Sequence, residues 1–208
     1  MQKPANPLPY AFVASALFVL TPAAEAHHAE FMSNAPFLQG LSMPVHGLDH
    51  LLSAFAVGLV ASRLPSRGGV ALLLSVYTLV ALAGGLFNVS GVALPDFVVP
   101  LTIALTALLL WRGARAGWLP AGAAIAASGF CHGDALLNQT AAGSHWTLFA
   151  TGCLCATLLV SAAALFAGRV LAEARLRFAG GALLAGAGLL VIFPEANAVL
   201  VQLLEGAR

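Results

Sequence analysis

Charge is scarce in this sequence. Of its 208 residues, nine are Lys or Arg and eight are Asp or Glu, so that 8% of the chain is charged whereas 60% is hydrophobic. A soluble domain has about 25% charged residues. So few charges cannot cover the surface of a water-soluble fold, and the composition therefore predicts a protein embedded in the lipid bilayer. The net charge of +1 and the lack of a basic cluster give no indication of a nucleic-acid partner.

The sequence also has few cysteines and no nucleotide-binding motif. The three cysteines, Cys131, Cys153 and Cys155, all lie in apolar stretches, which argues against a disulfide framework. The sequence contains no Gly-x-x-x-x-Gly-Lys-Ser/Thr motif for nucleotide phosphates. Active transport would therefore draw on an ion gradient, the membrane potential or a partner protein. We predict no organic cofactor.

The amino terminus has the pattern of an export signal. After Lys3 and a proline-dotted stretch, Ala11–Leu20 is apolar apart from Ser15, and a small-x-small cleavage site ends at Ala26. This apolar stretch is too short to cross a hydrocarbon core, which requires roughly 20 residues. We predict a cleavable signal peptide over residues 1–26, with a short uncleaved anchor as the alternative. Cleavage would make His27 the first residue of the mature chain.

Residues 27–208 are predicted to form one transporter domain, an all-α bundle of six transmembrane helices. Six apolar segments are long enough to span the bilayer, and short loops join them. The predicted spans are Met43–Ser62, Val70–Val89, Phe97–Trp111, Trp118–Leu137, Trp146–Val170 and Phe178–Leu204. Pro194 is expected to kink or break the last span.

The arginines predict how this bundle is oriented. The loops after the first, third and fifth spans contain arginine, whereas the alternate loops, 90–96 and 138–145, contain neither Lys nor Arg. Basic loops stay in the cytoplasm. We therefore predict a multi-pass protein of the bacterial inner membrane, with the mature amino terminus and the carboxyl terminus both in the periplasm.

This topology collects the histidines on the periplasmic side. His27 and His28 precede the first span, and His46 and His50 lie in its first turns. His132 lies near the outer end of the fourth span. At a rise of about 1.5 Å per residue, His50 and His132 should lie roughly 10 Å and 8 Å below their helix ends. Because the two depths agree, these residues of antiparallel helices are expected to meet.

Carboxylates accompany the histidines. Asp49 and the two histidines of the first span have i, i+3, i+4 spacing, so that they share one face of a continuous helix. His132 and Asp134 are about 200° apart on an ideal helix, and both can face the first span only if the helix breaks at Gly133. Ionisable groups at membrane depth cost about 2.5–3.5 kcal/mol each and need partners. The alternative is a purely structural hydrogen-bonded contact. The predicted metal site consists of His46, Asp49, His50, His132 and Asp134, with His27 and His28 as a first point of capture.

Two stretches around these histidines match known signatures. Met43–Leu52 reads M-P-V-H-G-L-D-H-L-L, and Ser128–Gly133 reads S-G-F-C-H-G. They resemble the His-Pro-x-x-Gly-x-Asp-His and His-Gly-x-Ala-His-Gly motifs of the HupE/UreJ family of hydrogenase and urease accessory permeases. The resemblance implies uptake of nickel, less often cobalt, for metalloenzyme assembly. It also implies that Asp49, His50 and His132 belong to the metal site.

The chain departs from the family pattern at two histidine positions, which Met43 and Ser128 occupy here. Met43 and Cys131 add soft sulphur donors near the site, so copper stays open as the cargo. Imidazole and carboxylate together suit nickel, cobalt, copper or zinc.

We therefore predict an inner-membrane permease for a transition metal, with nickel first and cobalt, copper or zinc as alternatives, and no enzymatic activity. The rival class is an intramembrane zinc-dependent hydrolase that uses the His46-x-x-x-His50 pair. A metal-binding scaffold or sensor and a bis-histidine haem protein are further alternatives. Besides the metal ion and the bilayer, a second copy of the chain or metalloenzyme maturation proteins stay open as partners.

Overall fold

The structure, a computed structural model, describes residues 35–89, 94, 97–113, 118–137 and 145–192, and these residues form helices with no strand. The chain is therefore an all-helical protein, as the sequence predicts. The predicted signal peptide and the position of Pro194 lie outside the described residues. The helices are α1 (Pro36–His46), α2 (Leu48–Ser62), α3 (Arg67–Val89), α4 (Val98–Arg112), α5 (Trp118–Leu137), α6 (Trp146–Val170) and α7 (Glu173–Ile192).

The sequence predicts the bounds of α4, α5 and α6 to within one residue, whereas α7 begins at Glu173, five residues before the predicted Phe178. The bounds of α5 and α6 coincide with those of the fourth and fifth predicted spans. Helix α3 begins earlier, since Ser66 precedes its first turn and accepts a hydrogen bond from Gly69 N at 3.0 Å through its hydroxyl. Helix α4 ends at Gly113, whose φ of 69° lies in the left-handed region that glycine adopts without strain.

The first predicted span is not one continuous helix. Helix α1 ends at His46, Gly47 is extended with φ −120° and ψ 121°, and α2 starts at Leu48 with a bend of 74° between the two helices. Only proline destabilises a helix more than glycine does, and Pro44 lies about one turn before Gly47. A Cβ at Gly47 would also stand 2.7 Å from atoms of both Asp49 and His50, whose side chains lie over this glycine.

The bundle has the surface of a membrane protein. Arg67–Phe87 and Trp146–Val170 are long and apolar enough to cross a bilayer, and α1 with α2 adds a third span if the bent pair is counted as one. Large apolar side chains point outward along these helices; Leu79 of α3 is 66% exposed and Leu159 of α6 is 65% exposed. Lipid is the solvent that suits such a surface. The count of six spans stays a prediction.

Glycines hold certain helices in close contact. A Cβ at Gly133 of α5 would overlap the carbonyl oxygen of Ala81 on α3, and a Cβ at Gly40 of α1 would overlap that of Phe149 on α6. Helix α2 approaches α6 in the same way at Gly58. Helix α3 therefore packs along α5, and α1 and α2 pack along α6, while α4 pairs with α7.

One end of the bundle collects the arginines. Arg63, after α2, forms an ion pair with Glu173 at the start of α7, and its Nη2 donates to Oε1 of Glu173 at 2.6 Å. Arg177 Nε donates to the carbonyl of Trp111 near the end of α4 at 3.1 Å. These contacts place the ends of α2 and α4 beside the start of α7. We call this the arginine end, and the opposite end, where α2 begins and α5 finishes, the histidine end.

Candidate metal site

Two buried histidines meet near the histidine end. His50 lies in the first turn of α2, and His132 lies about five residues before the end of α5. Their rings approach edge to face, with centroids 5.1 Å apart and an interplanar angle of 86°. His50 is 4% exposed and His132 is fully buried. The structure thus brings together two of the residues that the sequence predicts for the metal site; we call them the histidine pair.

Each ring of the histidine pair carries a nitrogen without a hydrogen-bond partner. The Nδ1 atoms of His50 and His132 are both buried and unpartnered within the described part of the chain. On its other nitrogen, His132 Nε2 lies 3.4 Å from the hydroxyl of Thr157 on α6. Buried polar atoms are nearly always hydrogen-bonded, because leaving one unpaired costs about 1–3 kcal/mol. Two such nitrogens side by side are therefore suited to bind a ligand.

Asp49 is adjacent to the histidine pair. Its Oδ2 lies 3.9 Å from Nδ1 of His50, which is too long for a hydrogen bond but close enough for electrostatic attraction. Its side chain is 20% exposed, so the carboxylate lies between the buried pair and the surface. Asp49 is also in the first turn of α2, where the helix dipole stabilises a negative charge. A cation that reaches the pair would pass this carboxylate.

Asp134 has a different position from the one expected. Helix α5 continues through Gly133 to Leu137, so the break that would let both His132 and Asp134 face the first span is absent from this helix. Gly133 instead allows the close packing of α5 on α3 described above. With the helix intact, Asp134 is about 200° around the axis from His132. Its Oδ2 accepts a hydrogen bond from the backbone N–H of Leu94 at 3.1 Å, on the connection between α3 and α4.

The break at Gly47 also corrects the expected geometry of His46. Because α1 ends at His46 and α2 starts after Gly47, the i, i+4 relation to His50 on one helix does not exist. The side chain of His46, like the whole of His27 and His28, lies outside the described residues. Within the described ranges, no three His, Cys, Asp or Glu side chains gather closely enough to hold a metal ion.

The two sulphur residues near the site pack in apolar clusters. Cys131 is buried with Val99, Ile103 and Ala187, on the side of α5 that faces α4 and α7. Met43 packs on a cluster that includes Leu136, Phe149 and Cys153. Both positions fit apolar packing, which is the ordinary role of these side chains in a core.

A group of buried hydroxyls next to the pair was not predicted. Ser53 Oγ lies 3.1 Å from Ser128 Oγ and 3.5 Å from the hydroxyl of Tyr77, and all three residues are fully buried. The ring of Tyr77 lies 5.9 Å from that of His132. We call Ser53, Tyr77 and Ser128 the hydroxyl cluster. Each of the three residues is a hydroxyl-bearing side chain within an apolar helix, and this was the signal available in the sequence.

Comparison with known proteins gives the family. Residues 15–191 match the family described as HupE / UreJ protein. The chain is 34% identical over 168 residues to "Protein HupE" of Rhizobium leguminosarum bv. viciae, an alignment that covers 74% of this chain and 84% of that protein. No solved structure matches the chain. The two motifs around the histidine pair and the all-helical membrane fold agree with this match, and the chain belongs to the HupE/UreJ family.

Proposed function

We propose that this protein is a permease of the bacterial inner membrane that takes up a divalent transition metal, nickel or cobalt, from the periplasm for metalloenzyme maturation. The observation that carries the proposal is the histidine pair. Two imidazoles from different helices meet in the core, each has a nitrogen with no partner among the described residues, and the carboxylate of Asp49 lies beside them.

The chemistry of this donor set suits a cation in transit. Imidazole nitrogen binds nickel, cobalt, copper and zinc, and the carboxylate of Asp49 lowers the electrostatic cost of bringing a dication out of water. Conduction requires a site that binds firmly enough to admit an ion and weakly enough to release it. Two imidazoles with one adjacent carboxylate meet that condition better than a closed four-ligand site does. The choice of nickel or cobalt rests on the family resemblance.

The direction of transport follows from the charges. If the arginine end faces the cytoplasm, as basic loops do, the histidine end faces the periplasm and the ion enters beside Asp49. His27 and His28, just before α1 in sequence, would meet the ion first, once cleavage after Ala26 exposes them. Alanine at both positions is then expected to raise the external metal concentration that gives half-maximal uptake, and an unchanged value would contradict this role.

A transporter mechanism fits the core better than an open pore does. Between the histidine pair and the arginine end, the centre of the bundle holds buried apolar side chains, among them Val57, Leu73 and Ile125. A hydrated dication cannot cross such a segment without an opening movement of the helices. The ion is therefore held at the pair until the bundle rearranges toward the cytoplasm.

The deciding experiment is uptake of labelled nickel, cobalt, copper and zinc into cells that express this chain. We expect accumulation of nickel or cobalt above the vector control, and its loss in Asp49→Asn with the protein level in the membrane unchanged. His145→Ala is the matched control, because this histidine is exposed at the start of α6 and away from the pair. Unchanged uptake of all four metals would contradict transport, and lipid hydrolysis by the purified protein would favour the hydrolase class instead.

Orientation needs a separate test. Reporters fused after Arg67, Arg115 and Arg175 are expected to lie in the cytoplasm. Reporters fused after Ser90, Gly143 and Arg208 are expected to be exported to the periplasm. A single reversal would contradict the direction of transport proposed above.

A further inference from the structure

The buried hydroxyl groups of this bundle are of two kinds. Thr102 and Thr106 of α4 donate to carbonyls of their own helix at 2.8 Å, and Ser161 of α6 donates to the carbonyl of Ala54 at 2.9 Å. Such hydroxyls are satisfied by the backbone and serve packing. In contrast, the three residues of the hydroxyl cluster contact one another across three helices. Their contacts are side chain to side chain, the least common class of hydrogen bond in proteins.

The hydroxyl cluster continues from the histidine pair toward the arginine end. Ser53 follows His50 on α2 by about 4.5 Å of helix rise, and Ser128 precedes His132 on α5 by about 6 Å. Because α2 and α5 are antiparallel, both displacements run in the same direction. Tyr77 lies about 15 Å from Arg67 along α3, near the middle of that helix. The pair and the cluster thus form one polar column from the histidine end to mid-bundle.

This column lies between two groups of helices. The first group, α1, α2 and α6, is joined by the glycine contacts at Gly40 and Gly58, and the second, α3 and α5, by those at Gly84 and Gly133. Backbones that touch at glycine gain many van der Waals contacts, so we expect the helices of each group to stay packed together. Between the groups run the side-chain contacts of the pair and the cluster. They are His50–His132, Thr157–His132, Ser53–Tyr77 and Ser53–Ser128. We call this boundary the polar seam.

A cavity reaches the same boundary from the arginine end. It has a volume of about 240 Å³, and its walls include Val60 of α2, Leu73 of α3, Leu110 of α4 and Ala121 of α5, together with Arg63 after α2. Leu73 precedes Tyr77 by one turn of α3, about 6 Å. The apolar barrier between the hydroxyl cluster and the cavity is therefore short, about one to two helical turns.

We propose that the polar seam is the permeation path, with the hydroxyl cluster as the station that the cation meets after the histidine pair. Passage occurs as the α1/α2/α6 group separates from α3/α5 and joins the seam to the cavity. Neutral hydroxyl oxygens bind a partly hydrated cation weakly and exchange readily with water, which favours transit over retention. This inference rests on the proposed function for its cargo, but the existence of the path can be tested without transport.

The test is thiol accessibility in a background with the three native cysteines replaced by alanine. Ser53→Cys and Ser128→Cys are examined separately, and Ser161→Cys and Thr106→Cys are controls of equal burial outside the seam. In intact cells, a small cationic methanethiosulfonate should label the seam cysteines at least about tenfold faster than the controls, and nickel or cobalt should slow that labelling. Tenfold corresponds to a difference of about 1.4 kcal/mol in the cost of exposure. Labelling of seam cysteines no faster than the controls would overturn the proposal.

Tyr77→Phe supplies a second measurement that does not depend on any cysteine variant. It removes one hydroxyl, keeps the ring beside His132, and is expected to lower the maximal uptake rate about fivefold with little change in the half-saturating concentration. Thr78→Val is the matched control, since the Thr78 hydroxyl donates to its own helix at Leu74. Normal uptake by Tyr77→Phe would contradict the proposed role of the hydroxyl cluster as a station for the cation. If the seam cysteines are accessible but no metal is taken up, the path is supported and the metal-permease function is refuted. If metal is taken up but the seam cysteines are inaccessible, the function is supported and the path is refuted.

Discussion

The two ends of the bundle treat polar groups in opposite ways. At the arginine end, Arg63 and Glu173 form two contacts with each other, and the Glu173 side chain is 56% exposed. At the histidine end, His50 and His132 are buried, touch each other, and each keep a nitrogen without a partner among the described residues. Paired and hydrated charges fix orientation and add little stability. Buried and unsatisfied polar atoms lower stability unless a ligand compensates, and this contrast supports the proposal that the metal binds at the histidine end.

The largest effect on this difference between the two ends is expected when the histidine pair is removed. His50→Ala, His132→Ala and the double variant should each lower the affinity for nickel or cobalt, measured with purified protein by isothermal calorimetry. Loss of outer-sphere partners already costs about 10–100-fold in metal affinity, so loss of a direct ligand is expected to cost about 100-fold or more. If the two imidazoles bind one ion, as proposed, the affinity lost in the double variant should be much less than the product of the two single losses. Two independent sites would instead appear as a stoichiometry that falls by one ion in each single variant.

The second test compares two glycines on α5. A Cβ at Gly133, near the histidine end, would overlap the backbone of Ala81, whereas the Cβ position of Gly122, toward the arginine end, has no atom of the described residues within 4 Å. Gly133→Ala is expected to lower the free energy of unfolding by about 1–3 kcal/mol through overpacking of α3 on α5. Gly122→Ala should leave stability unchanged or raise it by up to about 1 kcal/mol, because alanine favours helix. Thermal unfolding in detergent measures both, and equal effects would contradict close packing at Gly133.

Sequence reasoning succeeded where one helix decides the outcome. The bounds of α5 and α6 follow from long apolar runs. The expectation that His50 and His132 meet follows from the predicted antiparallel topology, although His50 lies closer to the start of its helix than expected, since α2 starts at Leu48. Sequence reasoning failed at Gly47, because membrane helices tolerate glycine and proline, so neither residue in the sequence distinguishes a break from a continuous span.

The sequence also could not predict contacts that depend on how each helix is rotated about its own axis. Ser53, Tyr77 and Ser128 meet only because three helices present particular faces to one another, and spacing within one helix does not fix that rotation. For the same reason Asp134, which was expected to join His132 at the metal site, contacts Leu94 instead. That the predicted ligands bind a metal ion is still a prediction.

The smallest expected effect is at the arginine end. The hydrogen bond from Arg63 lowers the pKa of Glu173 below its ordinary value of 4.5, with Coulombic attraction to Arg63 and Arg177 adding to the shift. A carboxyl group whose pKa is lower in the folded state stabilises the fold above its unfolded pKa, and this contribution is lost as the pH falls through the folded pKa. Wild type should therefore lose slightly more stability than Glu173→Gln on acidification from neutral pH to below pH 4.5, because the variant has no carboxylate to protonate there.

The size of that difference sharpens the contrast between the ends. For an exposed ion pair we expect less than about 1 kcal/mol, measured as the shift of the thermal midpoint against pH in detergent. Arg63→Gln should show the same reduced pH dependence, and the double variant should add nothing further, because the two residues contribute through one contact. Metal affinity at the histidine pair should be unchanged in all three variants at neutral pH. If Glu173→Gln weakened metal binding as strongly as His50→Ala, the arginine end would be part of the binding site, and the division of roles between the two ends would be wrong.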